Sequence, residues 1–195
     1  AQTGQSEASQ CTECPAGSYT NAESGAQQCI ACGAGKYSET ASHGESSCDD
    51  CVAGSYTEAD SGSTSCIACG AGKYSSSVSG HGESICKHCV AGAYTEADSG
   101  STSCVACGAG TYSDRTGITE PGQCTACENG KHGGGGTSEC PDCSAGTYHA
   151  QTGQSEASQC TECPAGSYTN AESGAQQCIA CGAGKYSETA SHGES

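Results

Sequence analysis

The 195-residue chain contains twenty cysteines, and all of them fall in ten C-x-x-C pairs. The pairs are Cys11/Cys14, Cys29/Cys32, Cys48/Cys51, Cys66/Cys69, Cys86/Cys89, Cys104/Cys107, Cys124/Cys127, Cys140/Cys143, Cys160/Cys163 and Cys178/Cys181. Successive pairs begin 16 to 20 residues apart, and nine of the ten are followed by x-A-G-x-Y. Recurrence at this near-constant spacing predicts a tandem array of small modules rather than one globular fold.

We number the modules 1 to 10, each from the start of one pair to the start of the next. They are residues 11–28, 29–47, 48–65, 66–85, 86–103, 104–123, 124–139, 140–159, 160–177 and 178–195. Residues 1–10 are interpreted as the end of a preceding module. Residues 150–195 repeat residues 1–46 without a change, which gives a 149-residue period of eight modules. Such identity indicates either a recently duplicated array or one window on a longer periodic polymer.

A two-module period is nested in the array. Four of the five even-numbered modules have Ile-Ala or Val-Ala between their cysteines, whereas odd-numbered modules have mostly polar residues there. The structural unit is then a pair of modules. The alternation is compatible with an apolar stripe along one side of the array, and equally with local packing of each Ile or Val on a disulfide.

The composition excludes a conventional apolar core. The chain has no Phe, Trp, Met or Leu, and a core depends on such side chains, each of which stabilises by roughly 1.5–3 kcal/mol when buried. Cysteine at about a tenth of all residues is typical of disulfide scaffolds in oxidising compartments. We therefore expect small disulfide-rich repeats with short β-strands and irregular loops, arranged as a solenoid-like elongated rod with little or no helix. In such a solenoid each module is expected to touch only its neighbours. We expect an extracellular protein, secreted or part of a cell-surface appendage.

The charge pattern and the motifs restrict the function. A net charge of −16 argues against nucleic acid, since phosphate contacts need clustered Lys and Arg. No apolar run approaches the roughly 20 residues of a membrane span. Neither a catalytic triad order nor a phosphate-binding loop is present, so we predict no enzyme, no catalytic or cofactor-binding residues and no metal site. Weak calcium bridging by the acidic loops stays open.

Counting cysteines does not decide how they pair. A bond within one C-x-x-C would make a tight, reducible ring of the kind found at redox-active helix starts. The alternative joins the second cysteine of each pair to the first cysteine of the next pair. Each such ring would enclose about fifteen residues and stabilise by roughly 3 kcal/mol in the chain-entropy model.

The segments Cys14–Tyr19 and Cys163–Tyr168 both spell C-P-A-G-S-Y, and each opening cysteine is followed fifteen residues later by another C-x-x-C. This pattern resembles the ephrin-receptor-like cysteine-rich repeat and the first loop of tumour-necrosis-factor-receptor domains. The resemblance implies the between-pair connectivity. The implied bonds are Cys14–Cys29, Cys32–Cys48, Cys51–Cys66, Cys69–Cys86, Cys89–Cys104, Cys107–Cys124, Cys127–Cys140, Cys143–Cys160 and Cys163–Cys178, with Cys11 and Cys181 left to bond across the ends.

Module 7 departs from the pattern. His132 stands where the other modules have Tyr, and Gly133 to Gly136 fill a shortened loop. We interpret this segment either as a flexible joint or as a place where another chain approaches closely.

Two functions from different classes fit these observations. The first is a structural component of an extracellular filament or surface fibre, self-associating head-to-tail or laterally. The second is the ectodomain of a receptor or adhesin that binds a protein ligand. Dense hydroxyl loops are candidate O-glycan acceptors. The candidates are Ser61, Ser63, Thr64, Ser65, Ser75, Ser76, Ser77, Ser99, Ser101, Thr102 and Ser103.

Overall fold

A computed structural model describes residues 11–22, 24–40, 42–44, 47–188 and 191–192. The proposed end of a preceding module, residues 1–10, lies outside the described residues. The chain divides into two compact units. One comprises Ala1–Gly70, Tyr74–Lys87 and Ser99–Thr102, and the other comprises Ala71–Lys73, His88–Asp98 and Ser103–Ser195.

The secondary structure consists of very short strands. They are β1 Ser18–Thr20, β2 Ile30–Ala31, β3 Lys36–Tyr37, β4 Ser42–His43, β5 Asp49–Asp50, β6 Ser55–Tyr56, β7 Ile67–Ala68, β8 Lys73–Tyr74, β9 Lys87–His88, β10 Ala93–Tyr94, β11 Val105–Ala106, β12 Thr111–Tyr112, β13 Thr125–Ala126, β14 Thr147–Tyr148, β15 Thr161–Glu162, β16 Ser167–Thr169, β17 Ile179–Ala180 and β18 Ser191–His192. The 3-10 turns Glu83–Ile85, Pro121–Gln123 and Ala157–Gln159 each precede a cysteine, and the described residues contain no α-helix. The prediction of small repeats with short strands is confirmed.

Each strand that carries the module's tyrosine pairs antiparallel with the two residues between the next pair of cysteines. In the first unit β1 pairs with β2, β3 with β5 and β6 with β7. In the second unit β10 pairs with β11, β12 with β13, β14 with β15 and β16 with β17. The Ala-Gly before the tyrosine forms the turn that starts the strand; at Gly17, for example, φ is +80°, which favours glycine.

Nine disulfides hold these hairpins closed. They join Cys14–Cys29, Cys32–Cys48, Cys51–Cys66, Cys69–Cys86, Cys89–Cys104, Cys107–Cys124, Cys127–Cys140, Cys143–Cys160 and Cys163–Cys178, with Cα–Cα distances of 5.5 to 5.8 Å. These are the pairs that the family resemblance implies. Cys11 and Cys181 are free thiols, the first exposed and the second half-buried.

The core is made of the disulfides themselves. Most of the fully buried side chains are the second cysteines of the pairs, such as Cys51, Cys89 and Cys127. Small polar side chains complete it, including Thr57 and Thr95, which have no exposed surface. A chain with few large apolar side chains therefore buries mainly its disulfides and some of its hydroxyl groups. Each buried hydroxyl needs a hydrogen-bond partner.

Candidate functional site: the interface between modules

The tyrosine strand of each module contacts the next module twice. Tyr37 pairs antiparallel with Asp49 and forms a parallel bridge with Ser63, which lies in the loop of the same following module. The same loop bridge recurs between Tyr94 and Ile118 in the second unit. The short strand is thus enclosed by two segments of its neighbour, which satisfies its backbone groups on both edges.

A second contact extends to the module after next. The glycine that precedes each tyrosine strand packs directly on the loop backbone two modules along the chain, and a Cβ at this glycine would overlap that backbone. The pairs are Gly17 with Gly62, Gly35 with Ser79, Gly54 with Gly100, Gly72 with Gly117, Gly92 with Gly136, Gly110 with Gly153 and Gly130 with Gly174. Solenoid modules were expected to touch only their immediate neighbours, so that expectation is wrong. Glycine makes the longer contact possible because it lacks a side chain.

The loop residue in this contact also binds the module between. The Gly62 N–H donates to the Cys32 carbonyl at 2.8 Å, and the Gly100 N–H donates to the Cys69 carbonyl at 2.8 Å. One loop glycine therefore contacts the two preceding modules at once. This three-module contact consists of backbone atoms, so it depends little on which side chains a module carries.

Odd and even modules differ in one buried hydrogen bond. In odd modules the residue after tyrosine is Thr, and its Oγ1 accepts the N–H of the preceding module's turn glycine. The bonds are Gly35 to Thr57 at 2.9 Å, Gly72 to Thr95 at 3.2 Å and Gly146 to Thr169 at 3.1 Å. In even modules the residue is mostly Ser, and its backbone carbonyl accepts instead, as Ser38 does from Gly17 at 2.8 Å.

These threonines were missed in the sequence analysis, although a signal was present. The alternation Tyr-Thr and Tyr-Ser follows the same two-module period as the residues between the cysteines. The role of the threonine side chain becomes clear only from the position of the glycine in the preceding module, whose N–H its hydroxyl oxygen accepts. The two-module unit is therefore expressed in the pattern of buried hydrogen bonds.

Module 7 is packed by its own chain. Gly133 takes the place of Thr, and its backbone carbonyl accepts the Gly110 N–H at 2.7 Å. A Cβ at Gly135 would overlap the backbone of Cys107 and Gly108 in the preceding module. Residues of the same chain pack closely on this glycine run, and its two interpretations, a flexible joint or a place where another chain approaches, stay predictions.

An exposed polar bridge connects modules 2, 3 and 4. Asp50 Oδ1 accepts from Lys36 Nζ at 2.8 Å and from the Ser79 hydroxyl at 2.6 Å. Both hydrogen bonds, that from Lys36 first, hold the pKa of Asp50 below its ordinary value of 3.8. Ser79 occupies the position of the loop glycine and has a φ of +53°, so Asp50 binds the one non-glycine residue of positive φ among those described.

The same bridge recurs in modules 7, 8 and 9. Asp142 accepts from Lys131 Nζ at 2.6 Å and from the Ser173 hydroxyl at 2.8 Å. The pKa of Asp142 is lowered, chiefly by the hydrogen bond from Lys131, and the pKa of Lys131 is raised by the same bond. Both side chains are more than a third exposed, so the pair contributes modestly to stability.

The candidate O-glycan acceptors lie in different environments. Eight of the eleven are exposed, namely Ser61, Thr64, Ser65, Ser76, Ser77, Ser99, Thr102 and Ser103. Ser63 and Ser101 are half-buried. Ser75 is only 3% exposed, and its Oγ accepts the Ser77 N–H at 3.3 Å, so its inclusion as an acceptor in the folded chain is a correction.

Several cavities on the described surface are open and mostly polar. One of them, with a volume of 550 Å³, is lined by residues such as Asn129, Asn170 and Gln176. Within the described ranges no three His, Cys, Asp or Glu side chains lie close enough to hold a metal ion. Eighteen of the cysteines are bonded in disulfides and so cannot bind zinc as thiolates. Among the same residues, no helix has the length and apolar character needed to cross a membrane.

Comparison with known proteins extends the resemblance found in the sequence. Residues 2–44 and 154–193 match the family model described as tyrosine-protein kinase ephrin type A/B receptor-like. No curated protein matches the chain. Each matched region contains one C-P-A-G-S-Y segment. The first contains the disulfide Cys14–Cys29 and the second contains Cys163–Cys178. The two regions therefore carry cysteine-rich repeats of the ephrin-receptor-like type, a non-catalytic extracellular module that agrees with the nine disulfides.

Proposed function

We propose, from the contacts that recur between modules, that the chain is a structural component of an extracellular filament or surface fibre. The observation that carries this proposal is the three-module contact. It recurs through both units with glycine and backbone atoms in equivalent roles. A contact that depends on backbone atoms can be repeated along an array of any number of modules.

The identity of residues 1–46 and 150–195 supports the same function. A load-bearing or spacing element needs equivalent segments along its length, whereas a ligand-binding surface needs a particular patch. Binding hot spots are enriched in Trp, Tyr and Arg. The chain has no Trp and a single Arg, Arg115, and its nine tyrosines mostly take part in the repeated strands.

The surface suits a hydrated extracellular position. The net charge of −16 makes neighbouring segments repel one another and keeps the surface solvated. The eight exposed hydroxyl residues of the candidate loops could carry O-glycans, which would extend this hydration. Treatment that removes O-glycans should then reduce the mass of protein from the native source, and an unmodified mass would exclude glycans at these loops.

The alternative is a receptor or adhesin ectodomain, and the family match is the observation that favours it. This alternative predicts a protein ligand that binds one unrepeated surface. Module 7 is the best place for such a surface, because His132 and the glycine loop distinguish it from the other modules. Loss of ligand binding on replacement of His132 by Tyr would support the alternative.

Electron microscopy of a length series tests the fibre. Chains with one, two and three copies of residues 1–149, followed by residues 150–195, should give images whose contour length increases linearly with the number of modules. Particles that grow equally in all directions would contradict the proposal. A matched series with Gly92→Ala in each copy should lose uniform width, because a Cβ at this glycine would lie 2.6 Å from the Gly136 carbonyl carbon.

A further inference from the structure

The open cavity of 550 Å³ lies where modules 7, 8 and 9 meet, and each of these modules has a neighbour on both sides in the chain. Module 7 contributes Asn129, module 8 contributes Ala150, and the loop of module 9 contributes the other lining residues. Those are Asn170, Ala171, Gly174, Ala175, Gln176 and Gln177. The volume falls in the range of about 300–1,000 Å³ that is typical of small-molecule sites.

Backbone hydrogen bonds hold the three modules in place around this cavity. The Gly130 N–H, next to Asn129, donates to the His149 carbonyl at 2.8 Å. The His149 N–H, next to Ala150, donates to the Ala175 carbonyl at 3.1 Å. Because these bonds join the lining residues or their immediate neighbours in the chain, the walls of the cavity are positioned before any ligand binds.

Half of the lining side chains are primary carboxamides. They are those of Asn129, Asn170, Gln176 and Gln177. Within the part of the chain that the structure describes, none of these carboxamides makes a hydrogen bond. The carboxamide of Gln159, by contrast, accepts the Ser155 N–H at 2.8 Å. Each carboxamide has two N–H donors and an acceptor oxygen, so the cavity presents donors and acceptors that the fold itself does not use.

The carboxamides stand where modules 7 and 9 depart from other modules in sequence. Asn129 occupies the position at which the other nine modules have alanine. Asn170 stands where modules 3 and 5 have glutamate, and Gln176 stands where they have threonine. Modules 3 and 5 form the same hairpin as module 9 without these carboxamides, so the hairpin does not require them. Their meeting at one cavity is therefore explained by binding rather than by folding.

The chemistry of the lining selects the class of ligand. Among the described residues no charged side chain lines the cavity, so a cation finds no carboxylate there to pair with. Anions are repelled by the net charge of −16. An apolar ligand would leave the four carboxamides without hydrogen-bond partners. The lining therefore suits a neutral ligand that donates and accepts hydrogen bonds at several adjacent groups.

We infer that the cavity formed by modules 7, 8 and 9 is a binding site for a neutral carbohydrate, a short oligosaccharide of hexose units. Each sugar hydroxyl has one donor and two acceptor lone pairs, which match the donors and the acceptor of a carboxamide. Asn129 binds the sugar from module 7, and the three carboxamides of the loop bind it from module 9. The small side chains of Ala150 and Ala171 leave space for the C–H groups of the sugar ring.

This site goes beyond the proposed fibre and does not depend on it, because all of its residues belong to one chain. Its place in the 149-residue period is specific. Asn129 belongs to one copy of the period, whereas residues 170–177 repeat residues 21–28 and so belong to the next copy. A chain with several copies therefore has one such site at each junction between copies.

The test is an NMR titration of the ¹⁵N-labelled 195-residue chain with cellotetraose, mannotetraose and galactotetraose. At least one of these neutral sugars should shift the side-chain NH₂ signals of the four lining carboxamides, with a Kd of about 1 mM because the cavity is open and offers few apolar contacts. The NH₂ signals of Gln123 and Gln159, whose Oε1 atoms accept backbone N–H groups, should not move. The absence of a saturable shift with all three sugars would overturn the inference.

Matched variants separate binding at the cavity from binding elsewhere. Asn129→Ala introduces the residue that the other nine modules carry, so the chain should fold while Kd rises about tenfold through loss of the hydrogen bonds from module 7. Gln176→Ala, at an exposed residue, should also raise Kd several-fold. Gln151→Ala removes an exposed carboxamide that does not line the cavity and should leave Kd unchanged. Equal Kd values for Asn129→Ala and Gln151→Ala would refute the site.

The length series of one, two and three copies gives a second readout. The number of sugars bound per chain should equal the number of Asn129 residues, and a larger number would show that the loop binds without module 7 and overturn the three-module site. Saturable shifts with N-acetylglycine amide but with none of the sugars would identify a peptide-binding cavity and also overturn it. Linear contour lengths without sugar binding would leave the fibre standing and refute the site, whereas sugar binding by compact particles would do the reverse.

Discussion

Modules 5 and 7 each accept a hydrogen bond from a glycine N–H of the preceding module, but with different chemical groups. In module 5 the Thr95 hydroxyl oxygen accepts the Gly72 N–H at 3.2 Å. In module 7 the Gly133 backbone carbonyl accepts the Gly110 N–H at 2.7 Å. The glycine donor is retained, while the acceptor changes from side chain to backbone.

The disulfide ring of module 7 leaves less space at this position. The disulfide of module 5 closes a sequence separation of 15 residues, and that of module 7 closes 13. In the shorter ring a Cβ at Gly133 would lie 3.1 Å from Cys127 Sγ, which leaves too little space for a threonine side chain. The comparison teaches that the array conserves backbone donors and geometry rather than particular side chains.

Removal of one ring should have the largest effect. Replacement of both cysteines by serine, in module 5 (Cys89 and Cys104) or in module 7 (Cys127 and Cys140), should each lower the free energy of unfolding by about 3 kcal/mol. The chain-entropy model predicts nearly equal losses because ring size enters as a logarithm. Denaturant unfolding of the otherwise oxidised chain measures both. A much larger loss for module 7 would show that its glycine packing, rather than chain entropy, stabilises it.

Disruption of the contact between modules 5 and 7 should have the second-largest effect on stability. Gly92 of module 5 has a φ of +83° and packs on Gly136 of module 7. Gly92→Ala should destabilise the chain by about 2–3 kcal/mol, since rigid backbone cannot move away from the new methyl group. Gly134→Ala is the matched control, because a Cβ there meets nothing within 4 Å and φ is not positive. Equal unfolding midpoints for both variants would show that modules 5 and 7 do not pack directly.

A change at the buried Thr95 tests whether the side-chain acceptor of module 5 differs from the backbone acceptor of module 7. Thr95→Val keeps the shape but removes the acceptor of the Gly72 N–H, and should cost about 1–3 kcal/mol as that donor is left unsatisfied. Hydrogen exchange at the Gly72 amide should accelerate, while exchange at Gly110, bound to a backbone carbonyl, should not change. Thr102→Val, at an exposed residue, is the control. Unchanged exchange at Gly72 would mean that Thr95 is not its partner.

The smallest effect concerns the ion pair, which only one of the two modules has. Lys131 of module 7 pairs with Asp142, whereas the corresponding residues of the module 5 strand pair are Ala93 and Ala106. The lowered pKa of Asp142 means that its contribution is complete above pH 3.8 and is lost as the pH falls through the lower folded value. The raised pKa of Lys131 means that the pair also weakens as the pH rises above 10.5.

Asp142→Asn should therefore remove about 0.5 kcal/mol at neutral pH and low salt, and less at high salt. The difference between wild type and variant should disappear below the folded pKa of Asp142. Unfolding curves at several pH values give this difference, and a titration of Asp142 followed by NMR gives the pKa itself. A constant difference down to low pH would mean that the side-chain amide alters packing rather than charge.

The cysteine pattern determined the modules and the absence of a conventional core. Ten C-x-x-C pairs at near-constant spacing, with no large apolar side chains other than tyrosine and a few Ile and Val, leave few alternatives to disulfide-closed loops. The nested period also indicated that pairs of modules differ. These features are local in sequence, so composition and spacing were sufficient.

Tertiary structure alone decided how the modules contact each other. The glycine before each tyrosine is 43 to 46 residues from its loop partner in the pairs from Gly17–Gly62 to Gly130–Gly174, and no local pattern specifies that distance. The acceptor role of Thr57, Thr95 and Thr169 likewise depends on where a glycine N–H of another module lies. Every residue except proline has the same backbone donor. A contact made from backbone atoms therefore shows in the sequence only as the glycine that its close approach requires.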